Sequence, residues 1–134
     1  MDVCGVGTGI IECLRIAKMI ERHGERFLCR VFTEHEIQYC QRRHAATQHF
    51  AGRWVAKEAV LRALGTSWVQ GITWRDMEIR TSPTGVATVS FRGGLRDVVE
   101  QTKAHNFQIS ISYCRSHATA LVIALADPAV GEEA

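Results

Sequence analysis

Phe50-Ala51-Gly52-Arg53-Trp54-Val55-Ala56-Lys57-Glu58-Ala59-Val60-Leu61-Arg62-Ala63-Leu64 is the stretch whose reading decides the fold. Ten of these 15 residues are apolar, one is glycine and four are charged. A helix that is apolar around most of its circumference is a buried one. The segment therefore reads as the heart of a helix from about Ala45 to Leu64, ended by Gly65. Charged side chains on a buried helix need partners or a task. Arg53 and Lys57 are four residues apart, as are Glu58 and Arg62, so each pair shares an edge one turn apart. Two readings stand side by side. The first is internal salt bridges flanking a core helix. The second is an acid, Glu58, that holds a metal, with the cations Arg53, Lys57 and Arg62 around a phosphorylated ligand. One carboxylate among phosphate-binding cations suits Mg²⁺, which takes one or two protein carboxylates and completes its shell with substrate phosphate oxygens.

The segments on either side supply a sheet for this helix to cover. Val3–Ile11 reads as a strand carrying Gly5, Gly7 and Gly9, whose period of two strips one face of side chains and lets another backbone approach. Glu12 to about His23 reads as a helix with Cys13, Ile16, Ala17 and Ile20 on one side, stopped by Gly24. Thr33-Glu34-His35-Glu36 is a capping box that opens another helix. Ile72–Arg80 and Val86–Phe91 read as strands joined through Thr81-Ser82-Pro83-Thr84-Gly85, and Leu95–Ala104 as a short amphipathic helix. Phe107–Ser112 alternates as a half-buried strand, and Ala118–Ala126 is an apolar run suited to a central one. The class is α+β, with helices packed on an antiparallel sheet. A single domain over residues 1–126 is expected, with 127–134 as a flexible tail.

Composition narrows the function. The 134 residues carry a net charge of only +2, too little for a protein that coats nucleic acid through bulk charge. Aromatics do not interleave with the cations as single-strand binding needs. The excess is local: between Gln38 and Arg62 five basic residues face the single acid Glu58, which points to an anionic ligand. Arg15, Lys18, Arg22 and Arg26 follow at spacings of three, four and four, a stripe that is either simply solvated or a docking face for an acidic partner. The five cysteines form no CxxC, and their odd number fits neither a disulfide framework nor a metal site, so a reducing, cytoplasmic compartment is expected. The six histidines show no HxxxH or HExxH spacing, and no GxSxG elbow or GxGxxG fingerprint is present. No apolar run is long enough for a membrane span, and the N-terminus lacks the features of a signal peptide.

Several blocks together resemble one family. Gly5-Val6-Gly7-Thr8-x-Ile10-Ile11-Glu12-x-x-Arg15-Ile16 looks like the opening of the holo-acyl-carrier-protein synthases, members of the 4′-phosphopantetheinyl transferase superfamily. Arg26-Phe27 through Arg30-Val31-Phe32-Thr33-x-x-Glu36 is similar to the second block, and Phe50–Ala59 with Ala63-Leu64-Gly65-Thr66 resembles the signature helix. Gly71-Ile72, Trp74-Arg75-Asp76-x-Glu78, Ile109-Ser110-Ile111-Ser112 and the strand to Ile123 continue the likeness. The resemblance implies a homotrimer with sites between subunits. It also implies Mg²⁺-dependent transfer of phosphopantetheine from coenzyme A to a serine of apo-acyl-carrier protein, with release of 3′,5′-ADP. By the same resemblance Glu58 would hold the metal. Arg53, Lys57, Arg62, Gly65 and Thr66 would contact coenzyme A, Glu58 and Arg62 would act in catalysis, and Arg15, Arg22 and Arg26 would dock the carrier.

The chain departs from the family pattern at working positions. Gly9 stands where the family has a metal-binding aspartate, and Arg62 where it has lysine. Arginine can bind phosphate bidentately but cannot serve as a base near neutral pH. Gly85-Val86-Ala87 replaces a Gly-Lys-Pro loop, and Tyr113 replaces a histidine. Two readings follow: an active transferase, or a family member that binds carrier protein or coenzyme A without efficient transfer.

Overall fold

The computed structural model describes residues 1–66 and 71–127. The proposed tail, apart from Asp127, lies outside the described residues. Among the described residues the α-helices and strands run β1 (Asp2–Glu12), α1 (Cys13–His23), α2 (Glu25–Val31), α3 (Glu34–Gln41), α4 (Ala46–Leu64), β2 (Met77–Thr81), β3 (Ala87–Phe91), α5 (Gly93–Glu100), β4 (Asn106–Tyr113) and β5 (His117–Ala126). The strands form one antiparallel sheet in the order β1-β5-β4-β3-β2. The α+β class and the antiparallel sheet are as the sequence indicates.

Helix α4 lies across β1 and β5. On β5 the small residues Ala118, Ala120, Val122, Ala124 and Ala126 face it and are buried. On β1 the glycine face lets the two backbones touch: a Cβ at Gly5 or Gly7 would fall well inside 3.0 Å of the Ala63 or Ala59 carbonyl oxygen. The period-two glycines thus do what their spacing predicts. The other sheet face is open among the described residues, with Val6 54%, Ile10 68% and Leu121 41% exposed.

Three local expectations are corrected. Gly24 (φ +51°) ends α1, but α2 starts at once and buries Phe27, Leu28 and Val31. Arg26 therefore belongs to α2, so the basic stripe is split between two helices. Before β2 the chain makes a 3-10 turn, Trp74–Asp76, where Asp76 takes the Thr73 backbone N–H at 3.2 Å, so the strand starts at Met77 rather than Ile72. Helix α5 runs from Gly93 only to Glu100.

The capping box is present. The Thr33 hydroxyl accepts from the Glu36 N–H, and Glu36 Oε1 accepts from the Thr33 N–H at 2.8 Å. Glu36 does more than cap. Fully buried, it also takes the Ile79 N–H at 2.7 Å and an ion pair from Lys57 at 2.7 Å, tying α3, α4 and β2 together.

Candidate active site

Between Phe50 and Ala63 every residue of α4 is buried except Trp54, Glu58 and Arg62. These three recur every four residues, so they form one line along the helix, about 12 Å from end to end at 1.5 Å per residue. That line is the part of the signature helix open to ligands.

The cations expected around one ligand are not gathered there. Lys57 points inward. Its three ammonium protons go to Glu36 Oε1 (2.7 Å), the Val31 carbonyl (2.7 Å) and the Trp74 carbonyl (3.1 Å). Burial pulls its pKa below the usual lysine range, against the attraction of Glu36. Arg53, only 2% exposed, packs 4.0 Å from the centroid of Tyr39 and donates to Thr81 Oγ1 at 3.0 Å. Gly65 (φ +73°) and Thr66 close α4, their N–H groups donating to Arg62 O at 3.0 Å and Leu61 O at 3.1 Å. Of the pairs in the first reading, Glu58 with Arg62 is present at its i,i+4 spacing but exposed, whereas the buried bridge joins Lys57 to Glu36 of α3.

Arg62 is the cation that reaches solvent. Its Nη1 donates to the Thr8 carbonyl of β1 at 2.5 Å, and its Nη2 lies 3.4 Å from Glu58 Oε2. An exposed i,i+4 pair of this kind is worth only about 0.3–0.5 kcal/mol, so an incoming anion can compete for the guanidinium. Arg62 walls a cavity of about 610 Å³ on the open sheet face, with Thr8, Ile10, Ser110, Ser112, Thr119 and Leu121. At the other end of the line Trp54 stacks on Trp74, ring centroids 5.2 Å apart, and both line a second cavity of about 370 Å³. Met19 and Phe27 form its apolar wall, and Arg26 and Arg30 belong to its cationic rim. Arg15, Arg22 and Arg26 are all exposed. Sequence reasoning missed Arg30 and the tryptophan stack, because the contact joins a helix to a turn twenty residues away.

The residues present do not fit the Mg²⁺ site that the resemblance implies. Position 9 has no side chain, and Glu58 already carries a guanidinium. A divalent ion on Glu58 with Arg62 about 4 Å away would cost about 2 kcal/mol in repulsion even at the dielectric of bulk water.

The described helices include none long and apolar enough to cross a membrane. The family model of the 4′-phosphopantetheinyl transferase superfamily matches residues 5–125. The chain is 43% identical over 123 residues to a holo-[acyl-carrier-protein] synthase of Rhodopirellula baltica, covering 92% of this chain and 98% of that one. A Neisseria meningitidis holo-[acyl-carrier-protein] synthase shares the fold, with a TM-score of 0.84 at 24% identity over 92% of this chain and 99% of that one. A Bacillus anthracis holo-(acyl-carrier-protein) synthase, solved in complex with CoA (3′,5′-ADP), aligns with a TM-score of 0.75 at 28% identity, covering 93% and 98% of the two chains. With the match running through every block from the glycine strand to β5, the chain belongs to the holo-[acyl-carrier-protein] synthase family of the 4′-phosphopantetheinyl transferase superfamily.

Proposed function

We propose that the chain transfers the 4′-phosphopantetheine arm of coenzyme A to a serine hydroxyl of an apo-acyl-carrier protein. The observation that carries this reading is the solvent line Trp54–Glu58–Arg62 on an otherwise buried helix. It joins an apolar cavity with a cationic rim to a second cavity walled by Arg62, and its carboxylate stands between them. Carrier proteins are acidic, so Arg15, Arg22, Arg26 and Arg30 supply the complementary charge, and the Trp54–Trp74 cavity takes an apolar side chain of the docked helix. Arg62, with the adjoining Gly65–Thr66 turn, receives the coenzyme A phosphates. Arg53 and Lys57 support the site from within, holding α4 against Tyr39, Thr81 and Glu36.

In the reaction the serine Oγ forms a bond to the β-phosphorus of coenzyme A. The bond from that phosphorus to the oxygen of the 3′,5′-ADP moiety breaks, and the leaving oxygen keeps the electron pair. Glu58 orients the serine hydroxyl and takes its proton, directly or through water. Arg62 stabilises the charge gathering on the phosphate oxygens. A homotrimer is part of the proposal: the open face carrying Val6, Ile10 and Leu121 offers apolar surface to a second copy, whose edge would turn the Arg62 cavity into a site between subunits. Five free thiols suit a reducing, cytoplasmic setting.

The test is a mass measurement on the carrier. Incubation with coenzyme A and a panel of apo-carrier proteins, with and without Mg²⁺, should add one phosphopantetheine to a carrier, and Glu58→Gln should suppress the gain. Absence of any mass gain across the panel rejects the transferase. Gly9 favours a second reading, a family member that binds without transferring, and coenzyme A binding with no mass gain is its signature.

A further inference from the structure

Gly9 and Arg62 are neighbours in space. A Cβ built on Gly9 would lie 3.3 Å from Arg62 Nη1 and 2.7 Å from Val55 Cγ2. The room an aspartate side chain would need to leave the backbone is thus taken by a guanidinium and a valine methyl. We infer that Arg62, braced on the Thr8 carbonyl and Glu58, stands in for the divalent ion, so that this chain binds the pyrophosphate of coenzyme A without a metal. The inference rests on the coenzyme A reading above and specifies how that ligand is held.

Three features lead to it. A guanidinium has five N–H donors. Arg62 commits one to Thr8 and one to Glu58, and with its side chain 56% exposed the others are available to phosphate oxygens. The short bond to the Thr8 carbonyl also orients the fork, so less freedom is lost when it grips a phosphate. Next, the described residues lining the 610 Å³ cavity include no carboxylate: Arg62 is the one charged group among them, beside the hydroxyls of Thr8, Ser110, Ser112 and Thr119. Such a wall attracts an anion and lends a hard cation no carboxylate of its own. Last, Val55 and Arg62 close the space over Gly9 together, so a second carboxylate cannot be restored by changing position 9 alone.

Calorimetric titration of the full chain with coenzyme A, in excess EDTA and in excess Mg²⁺, tests this directly. The wild-type Kd should agree within about twofold between the two buffers. Arg62→Ala should weaken binding in EDTA about tenfold or more, and Arg62→Lys should recover part of the loss, since it keeps the charge but not the fork. The triple variant Gly9→Asp/Val55→Ala/Arg62→Lys should bind more tightly in Mg²⁺ than in EDTA. Far-ultraviolet circular dichroism checks that each variant is folded. Tightening of the wild-type Kd by about tenfold in Mg²⁺ would overturn the inference, as would an Arg62→Ala protein that binds in EDTA as tightly as wild type. Those results leave the coenzyme A reading intact. Absence of binding by wild type in both buffers removes that reading and this inference with it.

Discussion

The ion pair between Glu36 and Lys57 should be the most sensitive point of the fold. Both side chains are fully buried, and Glu36 also receives the Thr33 and Ile79 N–H groups at 2.8 and 2.7 Å. Glu36→Ala leaves an ammonium in the core with only two carbonyl acceptors and orphans both backbone donors. Removing one partner of a buried pair costs about 3–5 kcal/mol, because the remaining charge is stranded. Against a total stability of about 5–15 kcal/mol that is about a fifth of the whole or more. Lys57→Met should cost less, about 3 kcal/mol, since the Glu36 carboxylate keeps its two backbone donors. For a chain of this length each kcal/mol moves the melting midpoint by about 4 °C, so Glu36→Ala should lower it by about 12–20 °C. Circular dichroism melts and urea titrations of both single variants and of Glu36→Ala/Lys57→Met complete a double-mutant cycle. The double variant should fall short of the summed losses by at least about 1–2 kcal/mol, because it strands no charge. Either single variant melting within about 4 °C of wild type, or strictly additive losses, would refute the assignment of α4's anchorage to this pair.

Glu78 should shape the acid limb of stability. Burial raises its carboxyl, but the Thr33 hydrogen bond, Arg80 at 2.7 Å and Arg92 at 3.3 Å outweigh that and hold its pKa below the usual glutamate range. A depressed folded-state pKa gives stability that is complete above the unfolded pKa and lost as pH falls through the folded value. Glu78→Gln should therefore flatten the decline in melting midpoint below about pH 4.5, and an unchanged acid limb would count against it. In native protein, Ellman's reagent should label Cys4, Cys29 and Cys114 quickly. The buried Cys13 and Cys40 should react only on unfolding, since burial pushes the Cys40 thiol up to about 12. Gly7→Ala should destabilise the fold by about 3 kcal/mol or more, read by urea titration, because the new Cβ collides with the Ala59 backbone. Arg26→Glu should raise the KM for apo-carrier protein on the order of tenfold, and that rise should shrink at high salt.

The sheet and the main helix were legible in the sequence because their signals are periodic and local. Alternation marked β4, the apolar run marked β5, and the near-continuous apolar circumference of α4 announced its burial. Thr33 and Glu36 gave the start of α3 through a motif four residues long. What was hidden depends on partners distant in the chain. Lys57 reads as a ligand-binding cation beside Glu58, yet its partner is Glu36, twenty-one residues away, and two further acceptors are backbone carbonyls that no composition reveals. The seven-residue α2 is too short to establish a period, and it was missed for that reason. The same holds at the site: Glu58 and Arg62 were found as an i,i+4 pair, whereas Trp74 joins them only through a tertiary stack on Trp54.

The three glycines of β1 look equivalent in the sequence, but they answer to two different constraints. At Gly5 and Gly7 an added Cβ meets the Ala63 and Ala59 carbonyls, parts of a helix backbone that cannot yield without moving α4 off the sheet. Glycine there is a condition of the fold. At Gly9 the nearest obstacle is a Val55 methyl, and the next is the end of the Arg62 side chain, with the Val55 carbonyl at 3.4 Å. Side chains can be exchanged for smaller ones, so glycine at position 9 is imposed by its neighbours' identities and not by the backbone. The departures from the family pattern therefore cannot be treated as independent losses. Arg62 reaches over β1 because position 9 is bare, and position 9 stays bare because Val55 and Arg62 occupy its space. A substitution at any one of the three tests the other two.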